Sequence, residues 1–279
     1  MKRIAIALAA LALTAPAWGV KPKDTGMKSV KNGKVTERPV DKGFASINEL
    51  TARGHIGFLA ADELEGREAG YNSGRIAGNY VEAYLRTLGL EPWNGTDYTQ
   101  PFEAYRIERQ KRGRYTVHPD SIAKLKPVVH QRLALKNVMA KITGKNPDEI
   151  VMIGAHYDHL GVDPLLNGAD DNASGVSAVL QIARAFVESG VQPERTVIFC
   201  LWDGEEKGLL GSEYFMQSFA DPSKIKGYVN FDMIGRNNDE SNPVHPGPSG
   251  LRAVAAQRHR GTRPAPETQL PPLGQSRGR

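Results

Sequence analysis

Cysteine is almost absent from this chain, since Cys200 is the one cysteine among 279 residues. A single cysteine excludes a disulfide framework and a structural zinc site built from thiolates. Aromatic residues make up 7% and charged residues 24% of the chain, a composition that excludes collagen-like and wholly disordered proteins. No long apolar run occurs after residue 13, so we expect no membrane-spanning segment beyond the N-terminus.

The first 17 residues have the three parts of a secretory signal peptide. Lys2 and Arg3 provide a positive start, residues 4–13 are an apolar run, and Ala15 and Ala17 are small residues at the spacing of a cleavage site. The apolar run is too short to cross a hydrocarbon core of about 30 Å. We therefore predict an exported protein, periplasmic or extracellular, with no membrane attachment after cleavage.

The excess of positive charge lies at the C-terminal end. The formal net charge is +5, but residues 241–279 contain six arginines, no lysine and a single acid, whereas the first 240 residues are neutral. This tail also holds seven of the 18 prolines and no Phe, Tyr or Trp, so it has little to bury. We predict a disordered or frame-shifted tail, and no nucleic-acid partner, because aromatic residues are not interleaved with the basic ones.

The chain between these ends divides into a polar lead-in over residues 18–45 and a domain over residues 46–240. Hydrophobic spacing predicts helices over 46–60, 73–88, 172–187 and 208–219. Short apolar runs predict strands over 133–142, 150–155, 196–202 and 228–231. Apolar strands that alternate with helices predict an α/β fold with three α/β/α layers and a mostly parallel central sheet.

Acidic residues and histidines follow the predicted strands or precede the next helix. They are His156, Asp158, His159, Asp170, Asp171, Asp203, Glu205, Glu206 and Asp232. Taken singly, such residues commonly cap helices or face solvent. The carboxyl ends of parallel strands share one edge of a sheet, and carboxylates gathered there would repel unless a cation lay among them. Oxygen and imidazole ligands without thiolate are typical of catalytic zinc, manganese or cobalt sites.

Four motifs carry a resemblance to a known family. They are GAHYDHLG (154–161), GADDNASG (168–175), FCLWDGEEKGLLGSEYF (199–215) and NFDMIGR (230–236), and FLAADELEGREAG (58–70) precedes them. Over residues 46–237 the chain closely resembles the co-catalytic di-zinc aminopeptidases, a family that also contains glutaminyl cyclases and glutamate carboxypeptidase relatives. The resemblance implies the zinc-peptidase type of α/β fold.

The resemblance also implies two Zn²⁺ ions and assigns their ligands. His156 and Asp232 would bind one zinc, Glu206 would bind the other, and Asp171 would bridge the two. Members of the family supply a late histidine as a further ligand of the second zinc. His245 and His259 are the only histidines that come later in this chain, and neither has the expected neighbours.

The implied activity is the removal of N-terminal amino acids from peptides that have a free N-terminus. A water held between the metals would attack the peptide bond, and Glu205 would act as the general base. Asp158 would orient His156, as metal-bound histidines usually require. His159 and Asp170 have no ligand role in this pattern, so we expect them to be loop residues.

The chain departs from the family after Asn238. The family continues with further strands, whereas here the arginine- and proline-rich tail begins, which predicts missing C-terminal strands and a reading-frame shift near residue 240. Without the late histidine, the second zinc should bind weakly, and we expect the chain as written to be poorly folded or nearly inactive.

Two other functions stay open at this point. One is a single-zinc glutaminyl cyclase, and the other is a secreted, non-catalytic protein built on a peptidase domain. The sequence defines neither the preferred N-terminal residue of a peptide substrate nor the oligomeric state.

Overall fold

The computed structural model describes residues 28–31, 34–109, 112–125, 132–162, 167–235 and 251–254. The predicted signal peptide lies outside these residues. Among the helices described, none is long and apolar enough to cross a membrane.

The strands and helices of the described residues follow in this order. The strands are β1 (Lys28–Lys31), β2 (Lys34–Glu37), β3 (Glu91–Pro92), β4 (Thr99–Arg109), β5 (Arg112–Thr116), β6 (Arg132–Ile142), β7 (Asn146–His156), β8 (Arg195–Trp202), β9 (Ile225–Phe231) and β10 (Leu251–Val254). The helices are α1 (Pro39–Ser46), α2 (Glu49–Leu59), α3 (Asn72–Thr87), α4 (Pro119–Ile122), α5 (Gly175–Ser189) and α6 (Leu210–Ser218). Short turns of helix cover Asp62–Arg67, Ala169–Ser174 and Pro222–Lys224.

The central sheet confirms the α/β class but has less parallel pairing than predicted. Its strand order is β10-β9-β7-β8-β6-β4-β5, with β3 beside β6. Only β7 pairs in parallel, with β8 on one side and β9 on the other, and the remaining described pairs of this sheet are antiparallel. The expectation of a mostly parallel sheet is therefore wrong. Crossover helices, which parallel neighbours require, separate β7, β8 and β9 in the chain, whereas β4 and β5 follow each other closely.

Alternate residues of β8 show how the sheet is covered on both faces. Val197, Phe199 and Leu201 face a core shared with α2, α3 and α5. Ile198, Cys200 and Trp202 face the opposite side, where Phe215 of α6 packs against them. The strand buries both of its faces, which explains its continuous apolar sequence and confirms the three-layer arrangement.

The connection from β6 to β7 passes over the start of β8. At Gly144 a Cβ atom would lie 2.2 Å from the main-chain carbon of Arg195, so any larger residue would collide with β8 there. This close approach places β8 between two strands that are only three residues apart in the chain. The insertion brings the carboxyl ends of β7 and β8 side by side.

The predicted helices occur with shifted limits, and one further helix precedes them. Residues Pro39–Ser46 form α1, although their composition places them largely in the predicted polar lead-in. The N–H of Arg38 donates to Oδ2 of Asp41 at 2.9 Å, and α1 packs against α5. In α2 the helical spacing picks out Leu50, which is 81% exposed, while Ala52, His55 and Leu59 are the buried residues.

The C-terminal tail lies mostly outside the described residues. Within it, β10 pairs antiparallel with β9 and extends the sheet at that edge. The sequence predicts a disordered or frame-shifted tail, whereas these four residues pair with the central sheet. The frame shift itself stays a prediction.

Candidate metal centre

His156 ends β7, and this position buries its imidazole at the carboxyl edge of the sheet. The residue is 1% exposed. Its Nδ1 atom lies 3.1 Å from the main-chain oxygen of Asp158. A carbonyl oxygen only accepts hydrogen bonds, so Nδ1 carries a hydrogen and donates it, and Nε2 is the nitrogen that would take up a second proton or bind a cation.

Nε2 of His156 faces three carboxylates. It lies 3.2 Å from Oδ1 of Asp171, 3.5 Å from Oδ1 of Asp232 and 3.9 Å from Oε2 of Glu205. A lone pair directed at carboxylates is repelled unless a proton or a cation lies between them. The side chains of Asp171 and Asp232 are 32% and 41% exposed, so a ligand can reach this point from solvent.

The ionisation of these groups reflects their crowding. Burial opposes protonation of His156, but the carboxylates of Asp158, Asp171 and Asp232 outweigh it and raise the pKa of His156 well above 6.5. The hydrogen bond from His156 lowers the pKa of Asp171. Burial raises the pKa of Glu205; the charge of His156 opposes that rise and the nearby carboxylates add to it. A proton on His156 thus occupies the place that a metal cation would take.

Asn172 connects the two loops that carry Asp171 and Asp232. Its Nδ2 atom donates to the main-chain oxygen of Phe231 at 2.9 Å, and its Oδ1 atom accepts from the N–H of Gly175 at 3.0 Å. The side chain is fully buried. Because Asn172 follows Asp171 and Phe231 precedes Asp232, this contact sets the separation of the two carboxylates.

Asp170 and Ser174 support the same connection. Oδ1 of Asp170 accepts from the N–H of Gly235 at 2.8 Å. The hydroxyl oxygen of Ser174 accepts from the N–H of Ile234 at 3.1 Å. Asp170 therefore acts here through the backbone of the loop after β9.

Asp158 holds the loop that carries Glu205 and Glu206. Its Oδ1 atom accepts from the N–H of Glu205 at 3.1 Å, and its Oδ2 atom accepts from the N–H of Glu206 at 3.2 Å. The carboxylate is fully buried, and Oδ1 is 3.6 Å from Nδ1 of His156. Asp158 lies beside His156 as predicted, but its shorter contacts orient the two glutamates, while its main-chain oxygen orients the histidine.

A second group of candidate ligands shares Asp171. One donor atom each from His159, Asp171 and Glu206 lie within 4.8 Å of one another. Nδ1 of His159 is 3.1 Å from Oε1 of Glu206. The sequence motif predicts a loop residue without a ligand role at His159, so the structure places at this centre a histidine that the motif does not assign.

Arg67 lies beneath both groups and binds the backbone of their loops. Its guanidinium is fully buried and donates to five main-chain oxygens, those of Leu59, Tyr157, Asn167, Gly168 and Asp171. Burial lowers the pKa of Arg67 to about 10, and the charges of Asp158, Asp171 and Glu206 oppose that shift. The guanidinium remains charged at neutral pH and joins the loops after β7 to the segment before α3.

Asp203 is a second residue whose role sequence reasoning missed. The Oδ2 atom of this buried side chain accepts from the N–H of Lys136 at 3.0 Å, which fastens the loop after β8 to β6. Burial raises its pKa to about 7, and the charge of Asp158 acts in the same direction. Its position after β8 was visible in the sequence, but its burial was not.

The donor atoms of the two groups fit zinc. They are imidazole nitrogens and carboxylate oxygens, with no thiolate, and Cys200 is buried on the opposite face of the sheet. The contact of His156 Nε2 with carboxylates is the observation that most requires a positive charge at this point, either a proton or a metal cation. Such ligand sets occur in catalytic zinc sites, which keep a coordination position for water or substrate.

Comparison with known proteins gives a family assignment. The model of peptidase family M28 matches residues 137–277, about half of the chain. The chain belongs to peptidase family M28. The matched stretch includes His156, Asp171, Glu205, Glu206 and Asp232, and it runs beyond residue 240 into the tail.

Individual relatives of this M28 chain are enzymes in name. It is 40% identical over 104 residues to leupeptin-inactivating enzyme 1 of Streptomyces exfoliatus, which covers 37% of this chain and 23% of that protein. It is 31% identical over 198 residues to a probable leucine aminopeptidase 2 of Aspergillus fumigatus, covering 70% of this chain and 36% of that one. The chain thus spans only about a fifth to a third of the length of these curated relatives.

Solved structures share the fold. The aminopeptidase from Aneurinibacillus sp. strain AM-1 superposes with a TM-score of 0.52 at 17% identity, covering 70% of this chain and 72% of that one. The LapA aminopeptidase of Legionella pneumophila superposes with a TM-score of 0.50 at 22% identity, covering 80% of this chain and 51% of that one. These likenesses confirm the zinc-peptidase type of α/β fold.

The structure brings together all six site residues that the sequence singled out. They are His156, Asp158, Asp171, Glu205, Glu206 and Asp232. The sequence offered a signal for His159, which stands three residues after His156 in the same loop. It offered none for Arg67 beyond its place in the upstream motif, because only the tertiary structure shows which arginine is buried.

Proposed function

We propose that this chain is an exported zinc metallopeptidase that removes N-terminal amino acids from peptides. The contact of His156 Nε2 with the carboxylates of Asp171 and Asp232, beside Glu205, carries the proposal. Membership of family M28 and the names of the aminopeptidase relatives support the reaction class. Export rests on the signal-peptide pattern of residues 1–17.

The residues would divide into metal ligands and a base. His156, Asp171 and Asp232 would hold one zinc, and Asp171 with Glu206 would hold a second. Bound zinc supplies Lewis acidity, which polarises a carbonyl group and lowers the pKa of water. Neutral His156 is needed for this role, so metal uptake displaces the proton that its raised pKa retains.

Glu205 would be the group that transfers the proton. Its Oε2 atom lies 3.9 Å from Nε2 of His156, and its side chain is 29% exposed. Burial raises the pKa of Glu205, which makes it a stronger base than an ordinary glutamate. It would accept a proton from the attacking water and deliver it to the leaving amine. Asp158 holds its backbone in place through the N–H of Glu205.

The names of the relatives bear on the substrate. Several are called aminopeptidases, and an aminopeptidase removes residues from a free N-terminus. This supports a peptide with a free N-terminal ammonium group as the substrate class.

The test is Glu205→Gln in the full chain, assayed with aminoacyl nitroanilides. We expect kcat to fall by about 10²–10⁴-fold, because general-base catalysis contributes that much, while zinc content stays unchanged. Glu213→Gln is the control, since Glu213 lies on α6 and contacts His118 at 3.2 Å. Equal activity of the Glu205→Gln variant and the wild type would contradict the proposal. Zinc binding without any hydrolysis by the wild type would favour the non-catalytic alternative.

A further inference from the structure

Arg67 is a fully buried charged residue that the proposed reaction does not use. Arginine is rarely buried to this extent unless its donors have partners, and a guanidinium has five N–H donors. In Arg67 all five are engaged: Nε donates once, and Nη1 and Nη2 donate twice each, to the main-chain oxygens of Leu59, Tyr157, Asn167, Gly168 and Asp171. The inference rests on the proposed function, because it concerns how the metal centre is held.

The five oxygens come from three segments that are far apart in the chain. Leu59 ends α2, Tyr157 follows β7, and the other three residues precede α5. Nε is 2.8 Å from the oxygen of Tyr157, and Nη2 is 2.7 Å from that of Gly168 and 3.2 Å from that of Asp171. A guanidinium is a rigid plane, so these contacts fix the distance between the loop after β7 and the loop before α5.

Both of these loops carry proposed metal ligands. Tyr157 directly follows His156, and Asp171 gives its carbonyl to Arg67 while its carboxylate faces Nε2 of His156 at 3.2 Å. Arg67 therefore joins the backbone beside one ligand to the backbone of the other. A binding constellation needs its groups held to within about 0.5 Å, which side chains on two separate loops do not achieve by themselves.

The chain adopts an unfavourable backbone where it places Arg67. Glu65, Gly66 and Arg67 have φ angles of 45°, 63° and 34°, and this left-handed region is uncommon for residues other than glycine. The N–H of His159 donates to the main-chain oxygen of Arg67, and the N–H of Gly161 donates to that of Gly66, each at 3.2 Å. Strained backbone persists where surrounding contacts enforce it, and it is concentrated at functional sites.

We infer that Arg67 is a positioning residue of the metal centre, whose guanidinium holds the loop of His156 against the loop of Asp171 so that both ligands reach the same zinc ion. Its charge also interacts with the carboxylates of Asp158, Asp171 and Glu206. A buried positive charge alone would repel a metal cation. Positioning and charge therefore change zinc affinity in opposite directions.

The zinc affinity of two variants separates positioning from charge. Arg67→Lys keeps the charge but has three donors on one nitrogen, and Arg67→Met removes both the charge and the donors. In competition with a chromophoric chelator, we expect both variants to bind zinc about 10–100-fold more weakly, as loss of supporting groups around a metal commonly does. Tighter binding by Arg67→Met, or wild-type affinity in folded Arg67→Lys, would overturn the inference.

A stability control separates positioning from simple destabilisation. Gly43→Ala disturbs the contact of α1 with α5, where a Cβ atom at Gly43 would lie 2.4 Å from the main-chain oxygen of Ala185. Measured below its Tm, this control should keep the zinc affinity and the cobalt absorption bands of the wild type. The folded Arg67 variants should show shifted cobalt bands, since these bands depend on how the ligands are arranged around the metal. Unshifted bands in Arg67→Lys would contradict the role.

The wild type allows a measurement that needs no folded variant. If the contacts of Arg67 favour zinc binding, bound zinc must favour those contacts to the same extent. Exchange of the guanidinium hydrogens with solvent requires the contacts to open, so saturating zinc should slow it by about 10–100-fold. NMR of the chain labelled with ¹⁵N-arginine follows the Arg67 hydrogens. Equal exchange rates with and without zinc would overturn the inference.

Failure of this role is distinguishable from failure of the proposed function. Nitroanilide hydrolysis that depends on zinc and on Glu205, together with wild-type zinc affinity in Arg67→Lys, overturns the role of Arg67 alone. No zinc binding by the wild-type chain overturns the proposed function as well.

Discussion

Asp158 is a residue whose single carboxylate serves two backbone donors at once. Its two oxygens accept from the N–H groups of Glu205 and Glu206, and both contacts are buried. Residue type alone predicts an acid beside a metal-bound histidine. The direction of its carboxylate depends on the loop after β8, which comes about 45 residues later in the chain and lies next to β7 only in the folded protein.

We expect Asp158→Asn to lower zinc affinity or kcat by about 10–100-fold, as removal of supporting groups around a metal site commonly does. An amide has one acceptor oxygen, so one of the two N–H groups would lose its partner. Competition with a chromophoric chelator and nitroanilide assays would measure the effect. Asp148→Asn, on an exposed side chain paired with Lys224, is the control and should change neither quantity. Wild-type affinity and kcat in the Asp158→Asn variant would refute this role.

His55 predicts a pH dependence of stability away from the metal centre. Burial lowers its pKa to about 4, and the charge of Arg184 acts in the same direction. The unfolded chain takes up a proton at about pH 6.5, which the folded state does not bind until about pH 4. The stability that neutral His55 contributes is complete above pH 6.5 and is lost as the pH falls towards 4.

In urea unfolding, we therefore expect the free energy of unfolding of the wild type to fall by about 1–2 kcal/mol more than that of His55→Gln between pH 7.5 and pH 5. Both proteins share all other titrating groups, so the difference isolates His55. Parallel pH profiles for the two proteins would show that the folded and unfolded states protonate His55 alike.

At the scale of elements, α1 shows where local pattern and tertiary packing differ. Residues 39–46 have few large apolar side chains, so periodicity assigns them to the lead-in. The structure packs them against α5 through a small residue, since a Cβ atom at Gly43 would lie 2.4 Å from the main-chain oxygen of Ala185. Contact through backbone rather than side chains leaves no hydrophobic signature in the sequence.

Gly43→Ala should destabilise the protein by about 1–3 kcal/mol, because the added methyl group forces α1 away from α5. Gly54→Ala is the matched control, because Gly54 is also helical and has no atom within 4 Å of its Cβ position. That control should stabilise the protein by about 0.5–1 kcal/mol through the lower helix propensity of glycine. Thermal or urea unfolding measures both, and equal effects at the two positions would refute the docking of α1 on α5.

The sheet shows the same limit of local information. Apolar runs located β6, β7, β8 and β9 within a few residues. The reason is clearest for β8, which is buried on both faces and is therefore continuously apolar. Strand direction was not recoverable in this way. The pairing of β8 between β6 and β7 depends on Gly144 letting the chain cross β8, which is a contact between residues about 50 positions apart.

At the scale of the whole molecule, the carboxyl ends of the parallel strands concentrate negative charge at one edge of the sheet. Asp171, Glu205, Glu206 and Asp232 meet there around buried histidines. Bound metal would relieve their repulsion, so metal binding and folding stability should be coupled.

We expect chelator treatment to lower the Tm of the full chain and added zinc to restore it. Free zinc at 100 times its Kd should stabilise the folded state by about 2.7 kcal/mol. Calorimetry measures the shift in Tm. Magnesium, which prefers all-oxygen ligands, should not replace zinc. His156→Ala removes a ligand of one site and should reduce the zinc-dependent rise in Tm. A Tm that is independent of zinc would contradict a metal site at this edge.

The sequence by itself determined the α/β class, the order of the motifs, and the acids and histidine at the strand ends that mark a member of peptidase family M28. These features are readable because burial and metal ligation restrict residue type at short spacings. Only the tertiary structure decided that His159 joins Asp171 and Glu206, that Arg67 fastens the loops beneath them, and that most strands pair antiparallel. These outcomes depend on contacts between distant segments, where burial and direction arise from packing rather than from neighbouring residues.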